Sequence, residues 1–257
     1  MCGRFSAATQ PSLLAERFRA EPVGVEGHQP SWNVAPASDI LVVVAGSDGA
    51  RTLRALRWGL VPRWAKDPKA GNRMINLRAE TVREKKSWQN SLAQRRCLIP
   101  VDGFYEWQDQ GNGRRKQPFY ITARDQEPLA LAGLWATWHN PAAADGEHGD
   151  AAAGAGHDRG RSTDDELWTC TIVTTTANQL MGSVHQRMPV ILPPEAWDAW
   201  LDPDNHDVEQ LAALLEPAPE ELLAVWPVDP AVGNIRNNRP ELLRPLEGHE
   251  PRTADRA

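Results

Sequence analysis

Apolar residues along this chain recur at two spacings, and the strand spacing dominates its middle. Residues 39–45 (Asp-Ile-Leu-Val-Val-Val-Ala) and 52–58 read as two strands, with Gly46-Ser47-Asp48-Gly49 as the hairpin turn between them. Four more strands are predicted at Cys97 to Pro100, Phe104 to Gln108, Pro118 to Ala123 and Leu129 to Trp138, with Gly111-Asn112-Gly113 turning between the second and third. Leu167 opens a further β-forming run, Leu-Trp-Thr-Cys-Thr-Ile-Val-Thr-Thr-Thr. Helical spacing appears at residues 10–19, where Pro11 fits a first turn and Leu13, Leu14 and Phe18 share a face. Residues 79–93 have helical composition with a break near Ser87, and shorter helices are expected at 177–181, 194–201 and 207–215. Strands in succession with helices between and after them predict an α+β fold: a mainly antiparallel, β-barrel-like core with flanking short helices.

The remaining segments are loops. Residues 58–72 hold Trp58, Trp64 and several cations, and residues 227–245 are loop-like. Residues 140–166 are rich in Ala, Gly, Asp and His and have no core former except Thr163, so they read as a disordered acidic insertion. The reading is one domain over 1–246 interrupted by that insertion, with a frayed tail at 247–257.

Composition narrows the class. A chain of 257 residues, 41% hydrophobic and 24% charged, fits a soluble globular protein with no apolar run long enough to span a membrane. The first 20 residues have no apolar core of the kind a signal peptide needs, so the cytoplasm is the expected compartment and a monomer the expected state. Cys2, Cys97 and Cys170 are an odd set without a CxxC pair, which argues against a disulfide framework and against a zinc site; no metal or cofactor is expected. The net charge of −6 is unevenly spread. Residues 51–96 carry thirteen Lys or Arg against three acids, as a footprint for a polyanion on one face requires.

Chemistry gathers at the start of the chain, Met1-Cys2-Gly3-Arg4-Phe5. Once Met1 is removed, Cys2 carries a thiol and an α-amine on neighbouring carbons, with ordinary pKa values of about 8.5 and about 7.7–8.0. An amine condenses with an aldehyde to an imine, and the thiol can close on the same carbon to a five-membered thiazolidine. Three further segments combine ionisable or amide groups with Gly, Pro or Trp: Ile75-Asn76-Leu77-Arg78-Ala79-Glu80-Thr81, Val101-Asp102-Gly103-Phe104-Tyr105-Glu106-Trp107 and Val184-His185-Gln186-Arg187-Met188-Pro189.

With Trp32-Asn33-Val34-Ala35-Pro36 and Trp58-Gly59-Leu60-Val61-Pro62, these segments resemble the motifs of the SRAP family, the SOS response-associated peptidases or abasic-site processing proteins. The resemblance implies a β-barrel-like fold and a protein that binds single-stranded DNA containing an abasic site and traps it through the mature N-terminal cysteine. It implies Cys2 as nucleophile, Asn76 holding the reacting end of Cys2, Glu106 transferring protons, and His185 assisting sugar ring opening and crosslink reversal. The peptidase of the family name would here remove only Met1.

Elementary chemistry agrees with those roles. A closed abasic deoxyribose needs a proton donor to open it, which a histidine supplies on either side of neutrality. A carboxyl between Tyr105 and Trp107 is a candidate for a raised pKa, although the same alternation would suit a solvent-facing Glu106. Arg4, Arg78 and Arg187 are expected to contact phosphates, with Lys85 or Lys86 adding charge and Asn33 contributing to the DNA site. Trp58 and Trp64 are candidates to stack on a base, with a place in the core as the alternative for each. Two other functions remain open: an N-terminal-nucleophile cysteine hydrolase resembling the glutamine amidotransferases that also begin Met-Cys-Gly, and a non-catalytic reader of damaged DNA.

Overall fold

A computed structural model describes residues 2–111, 113–141 and 166–254. The expected insertion lies outside the described residues except at its two ends, as does Met1. The strands are β1 (Phe5–Ala7), β2 (Glu21–Pro22), β3 (Ser31–Val34), β4 (Asp39–Ala45), β5 (Arg51–Trp58), β6 (Asn76–Arg78), β7 (Arg96–Val101), β8 (Gly103–Gln108), β9 (Gln117–Ala123), β10 (Leu129–His139), β11 (Glu166–Thr176), β12 (Arg187–Pro189) and β13 (Leu223–Pro227). The helices are α1 (Pro11–Phe18), α2 (Ala79–Glu84), α3 (Lys86–Gln94), α4 (Gln179–Gly182), α5 (Trp197–Leu201) and α6 (Val208–Ala213).

Five strands close on themselves. The order β11-β10-β7-β4-β5 is antiparallel throughout, and β5 returns to β11 through a short parallel contact that opposes Arg57 and Trp58 to Thr169 and Cys170. Period-two alternation then separates two cores. Ile40, Val42, Val44, Leu56, Trp58, Cys97, Ile99, Leu131, Cys170 and Ile172 point into the barrel. Their neighbours Leu41, Val43, Leu53, Leu98, Ala130, Ala132, Leu134 and Val173 point outward and are covered by α1, α5 and α6 through Leu14, Phe18, Trp197, Trp200, Leu201 and Leu211. A five-strand barrel is narrow, and Gly133 on β10 is where that tells: an added Cβ would meet Cys97 Sγ at 2.8 Å and Ile99 Cδ1 at 2.9 Å.

A second antiparallel sheet, β13-β9-β8-β1-β3, lays Phe5, Phe104, Phe119, Ile121 and Val225 against the barrel cluster. Its other face, with Tyr105, Tyr120 and Trp226, is covered by Val228, Val232 and Leu242 from the segment that follows β13. Both faces of β8 are therefore buried.

The long strands fall where the alternation places them, and the α+β, barrel-cored class is the one observed. The short ones, β1, β3, β6 and β13, gave no periodic signal because three to five residues are too few to display one. The helical run 79–93 breaks at Lys85 rather than Ser87, where the backbone turns extended (φ −101°, ψ 117°). The tail is not frayed throughout, since Arg252 exchanges both backbone hydrogen bonds with Val225 at 2.8 and 3.0 Å.

Candidate active site

Cys2 is held by the strand that follows it. β1 lies between β3 and β8, with Phe5 opposite both Val34 and Phe104, and the Tyr105 amide donates to the Arg4 carbonyl at 2.9 Å. Ser6 adds a 2.7 Å hydroxyl contact with Tyr120. A chain start that would ordinarily fray is thus led directly into a central strand of a sheet. Cys2 itself is fully buried.

Asn76 reaches it from the other sheet. β6 runs parallel to β11, with Asn76 opposite Ile172, and Asn76 Nδ2 donates to the Cys2 carbonyl at 2.7 Å. Asn76 Oδ1 is buried and makes no hydrogen bond to the described residues. The register of β6 is fixed partly by Trp58, whose indole Nε1 donates to the Ile75 carbonyl at 2.9 Å while its ring packs 4.8 Å from that of Phe5.

Glu106 follows Phe104 on the inward face of β8 and is only 2% exposed. Burial pushes its carboxyl above the ordinary carboxylate range, and the His185 imidazolium, when charged, opposes that rise. The Cys2 thiol is pushed up as well, by burial first and then by the charge of Glu106. Both effects favour a neutral resting pair.

His185 sits between α4 and β12. Its backbone N–H donates to Met181 O at 2.9 Å, and Gln108 Nε2 donates to Ser183 O at 2.6 Å, tying the end of β8 to this loop. His185 Nδ1 lies 2.9 Å from the Arg187 amide, which donates to it when Nδ1 is bare, and 3.2 Å from the Arg187 carbonyl, which accepts from it when Nδ1 carries a proton.

Of the residues expected to meet DNA, three have the exposure that requires. Arg78 and Lys86 are exposed, and Trp64 is 82% exposed on its loop. Arg4 is half-buried: its guanidinium donates to Asn33 Oδ1 at 2.7 Å and to Val232 O at 3.0 Å, and lies 6.0 Å from the Trp107 ring centre. Burial corrects two expectations, those for Trp58 and Asn33, while Arg187 keeps partial exposure. Trp58 has no exposed surface to offer a base, because its ring closes the barrel interior. Asn33 is buried, with Nδ2 donating to the carbonyls of Val232, Asn234 and Asn237 and Oδ1 taken by Arg4, so it fixes a loop rather than a phosphate. Arg187 is engaged internally, in a bidentate ion pair with Glu80 at 2.6 and 3.0 Å and a 2.7 Å bond to Thr174 O.

A cleft of about 680 Å³ opens on the outer face of the second sheet, lined by Trp107, Arg115, Lys116 and residues between Asp229 and Asn234. Sequence reasoning passed over it. The available signal was the Arg114-Arg115-Lys116 run directly after the Gly111–Gly113 turn. Among the described residues, no group of three or more His, Cys, Asp or Glu gathers to hold a metal ion, and no helix is long and apolar enough to cross a membrane.

Residues 1–235 match the family model described as SOS response associated peptidase (SRAP). The chain is 39% identical over 245 residues to the abasic site processing protein YoqW of Bacillus subtilis, covering 95% of this chain and 99% of that one. It is 31% identical over 287 residues to the chicken (Gallus gallus) abasic site processing protein HMCES, covering 96% of this chain and 78% of that one. Its fold is shared with a crystal structure from Bacteroides thetaiotaomicron, at a TM-score of 0.76 and 22% identity over 95% of this chain and 100% of the other. A phage-related protein of Bordetella bronchiseptica superposes with a TM-score of 0.62 at 30% identity, over 88% and 94% of the two chains. A family match across most of the sequence, and relatives above 30% identity over nearly all of it, agree with the motifs around Cys2, Asn76, Glu106 and His185: this chain belongs to the SRAP family.

Proposed function

We propose that this protein processes abasic sites by capturing them covalently on Cys2, in single-stranded DNA, after removal of Met1. The observation that carries the reading is the position of Cys2, the residue that becomes the amino terminus. It is pinned by the 2.7 Å bond from Asn76 and set against a buried carboxyl whose pKa burial has raised. A hydrolase of the glutamine amidotransferase type also begins Met-Cys-Gly, but the relatives named for abasic site processing favour the aldehyde chemistry.

His185, as the imidazolium, gives its Nε2 proton to the ring oxygen of the closed abasic sugar while a solvent water takes the proton of the anomeric hydroxyl, which frees the C1′ aldehyde. The α-amine of Cys2 adds to C1′ to give a carbinolamine. Protonated Glu106 gives its proton to the carbinolamine hydroxyl, which leaves as water, and an iminium remains. The resulting Glu106 carboxylate accepts the proton of the Cys2 thiol as sulfur adds to the iminium carbon, closing the thiazolidine. Aldehyde, amine and thiol thus become one ring and one water, and Glu106 ends as it began. Ring closure also removes the imine, whose electron demand at C2′ would otherwise invite β-elimination and strand cleavage.

The test is a denaturing gel of the processed protein with abasic single-stranded DNA. A slow band that survives denaturation is expected from the parent. Cys2→Ser, which has no sulfur to close the ring, should give little stable band, a borohydride-trapped product in its place and some strand cleavage. A Cys2→Ser protein that crosslinks as durably as the parent would sink the thiazolidine mechanism.

A further inference from the structure

The Asp102 side chain has no part in the mechanism, yet it holds the far end of the strand that leads out of Cys2. We propose that Asp102 is a positioning residue: its carboxylate sets the register of β1, and with it the place where the α-amine and thiol of Cys2 meet the aldehyde. The proposal rests on the capture of aldehydes by Cys2 in the reading above.

A three-residue strand cannot specify its own register. β1 pairs with β3 at Phe5–Val34 and Ala7–Ser31, with an irregularity between the two, and with β8 at Phe5–Phe104 and Ser6–Gly103. Backbone bonds of this kind are the same for every residue, whereas a slip of one residue would turn Phe5 off the barrel cluster and carry Cys2 away from Asn76. Side-chain contacts at the two ends therefore decide. At the N-terminal end, Asn76 donates to the Cys2 carbonyl. At the other end, one Asp102 oxygen accepts from the Ala8 amide and the other from the Thr9 hydroxyl, each at 2.5 Å. Hydrogen bonds to a carboxylate are shorter and about twice as strong as those between neutral groups, and two donors on one carboxylate fix direction as well as distance.

The carboxylate stands on a rigid base. Asp102 is the single residue between β7 of the barrel and β8 of the second sheet. Its amide donates to the Ser6 carbonyl at 2.9 Å, and its own carbonyl accepts from Thr122 Oγ1 at 2.6 Å. The next residue, Gly103, is packed so closely that a Cβ there would run into the Tyr120 phenol and the Ile121 carbonyl. The clamp thus ties the start of the chain to the point where the backbone passes from barrel to second sheet, and Glu106 follows on that same strand β8. It is not a cap on α1. The first-turn amides of Leu13 and Leu14 donate to the Gln10 carbonyl, and Ala8 lies outside the helix.

Asp102→Ala and Asp102→Asn in the full chain after Met1 removal separate positioning from plain stability. Asparagine keeps the shape of the clamp, because its oxygen can accept from Ala8 while its amide donates to Thr9 Oγ1. Single-turnover crosslinking with excess abasic single-stranded DNA reads a rate and an amplitude. For Asp102→Ala the rate at saturating DNA should fall about 10- to 100-fold, the cost of a small misplacement of a reacting group. The DNA concentration at half saturation should stay within about twofold of the parent, and the amplitude should be kept. Asp102→Asn should recover most of the rate, and its failure to do so refutes a role through these two hydrogen bonds. A lower amplitude at the parent rate would overturn the proposal, because only the folded fraction would then have changed. Weaker DNA binding at the parent rate would overturn it too. Amide hydrogen exchange in the free parent protein needs no variant and no DNA. The Ala8 amide should be protected as well as the paired amide of Tyr105, and an Ala8 amide that exchanges like an exposed loop refutes the clamp whatever the gel shows. If the parent forms no Cys2-dependent crosslink, the function reading fails and takes the catalytic consequence with it, while the exchange result still decides whether Asp102 holds β1.

Discussion

Burial holds the proton on the Cys2 thiol, and a Glu106 that became negative would add to that by repelling a thiolate. In the proposed reaction the sulfur is therefore a poor first nucleophile. It becomes a good second one when a positive iminium appears beside it and Glu106 has just become a base. Glu106→Gln should slow adduct formation about 10²- to 10⁴-fold, the usual range for a positioned acid or base, without abolishing DNA binding, as single-turnover gels would report. The same substitution should change stability with a definite sign. A carboxyl raised on folding imposes no penalty below its unfolded pKa of about 4.3, and the folded state loses stability as pH rises through the folded value. Glu106→Gln should therefore melt higher than the parent at pH 7 and no higher near pH 4. A gap that shrinks as pH rises would contradict a raised pKa.

Among the elements, three strands do the positioning and one tryptophan links two of them. β1 anchors Cys2, β6 carries Asn76 and β8 carries Glu106, and Trp58 at the end of β5 touches the first through Phe5 and the second through the Ile75 carbonyl. Trp58→Phe keeps an aromatic ring but loses the indole donor and part of the packed volume. The expected loss of stability is about 1–3 kcal/mol, with melting lowered to match. Crosslinking should slow as Asn76 shifts, while affinity for intact single-stranded DNA stays the same because the ring has no surface to stack on. A selective loss of DNA affinity at unchanged stability would show that Trp58 reaches the nucleic acid.

For the whole molecule, the closure of the barrel explains how a long acidic segment can interrupt it. β10 and β11 are antiparallel neighbours, with His139 opposite Glu166, so the chain leaves the sheet and re-enters it at adjacent positions. Replacing residues 142–164 by a short Gly-Ser turn should leave melting temperature and crosslinking within error of the parent, since the pairing from Gly133–Ile172 to His139–Glu166 is untouched. Loss of soluble protein after the deletion would show that the segment contributes to the folded core. Of the exposed cationic positions, Arg78 ends the strand that carries Asn76 and Lys86 opens α3.

What could be read from the sequence alone was set by local pattern. Alternation over six or more residues placed the long strands, helical spacing placed α1, and the four segments around Cys2, Asn76, Glu106 and His185 singled out the groups that the fold brings together. Alternation assigns residues to a common face but does not say what covers that face. Glu106 read equally well as a solvent-facing residue until the second sheet was seen packed on both sides, with the barrel cluster over one face and the segment after β13 over the other. Side-chain partners lay further beyond reach. The guanidinium of Arg187 meets a carboxylate 107 positions earlier, and the amide of Asn33 meets carbonyls about 200 positions later. A cation and an amide look the same in sequence whether they are destined for a phosphate or for an internal partner, because the choice depends on which groups the closed sheets leave within hydrogen-bond distance. Only the tertiary structure sets those distances.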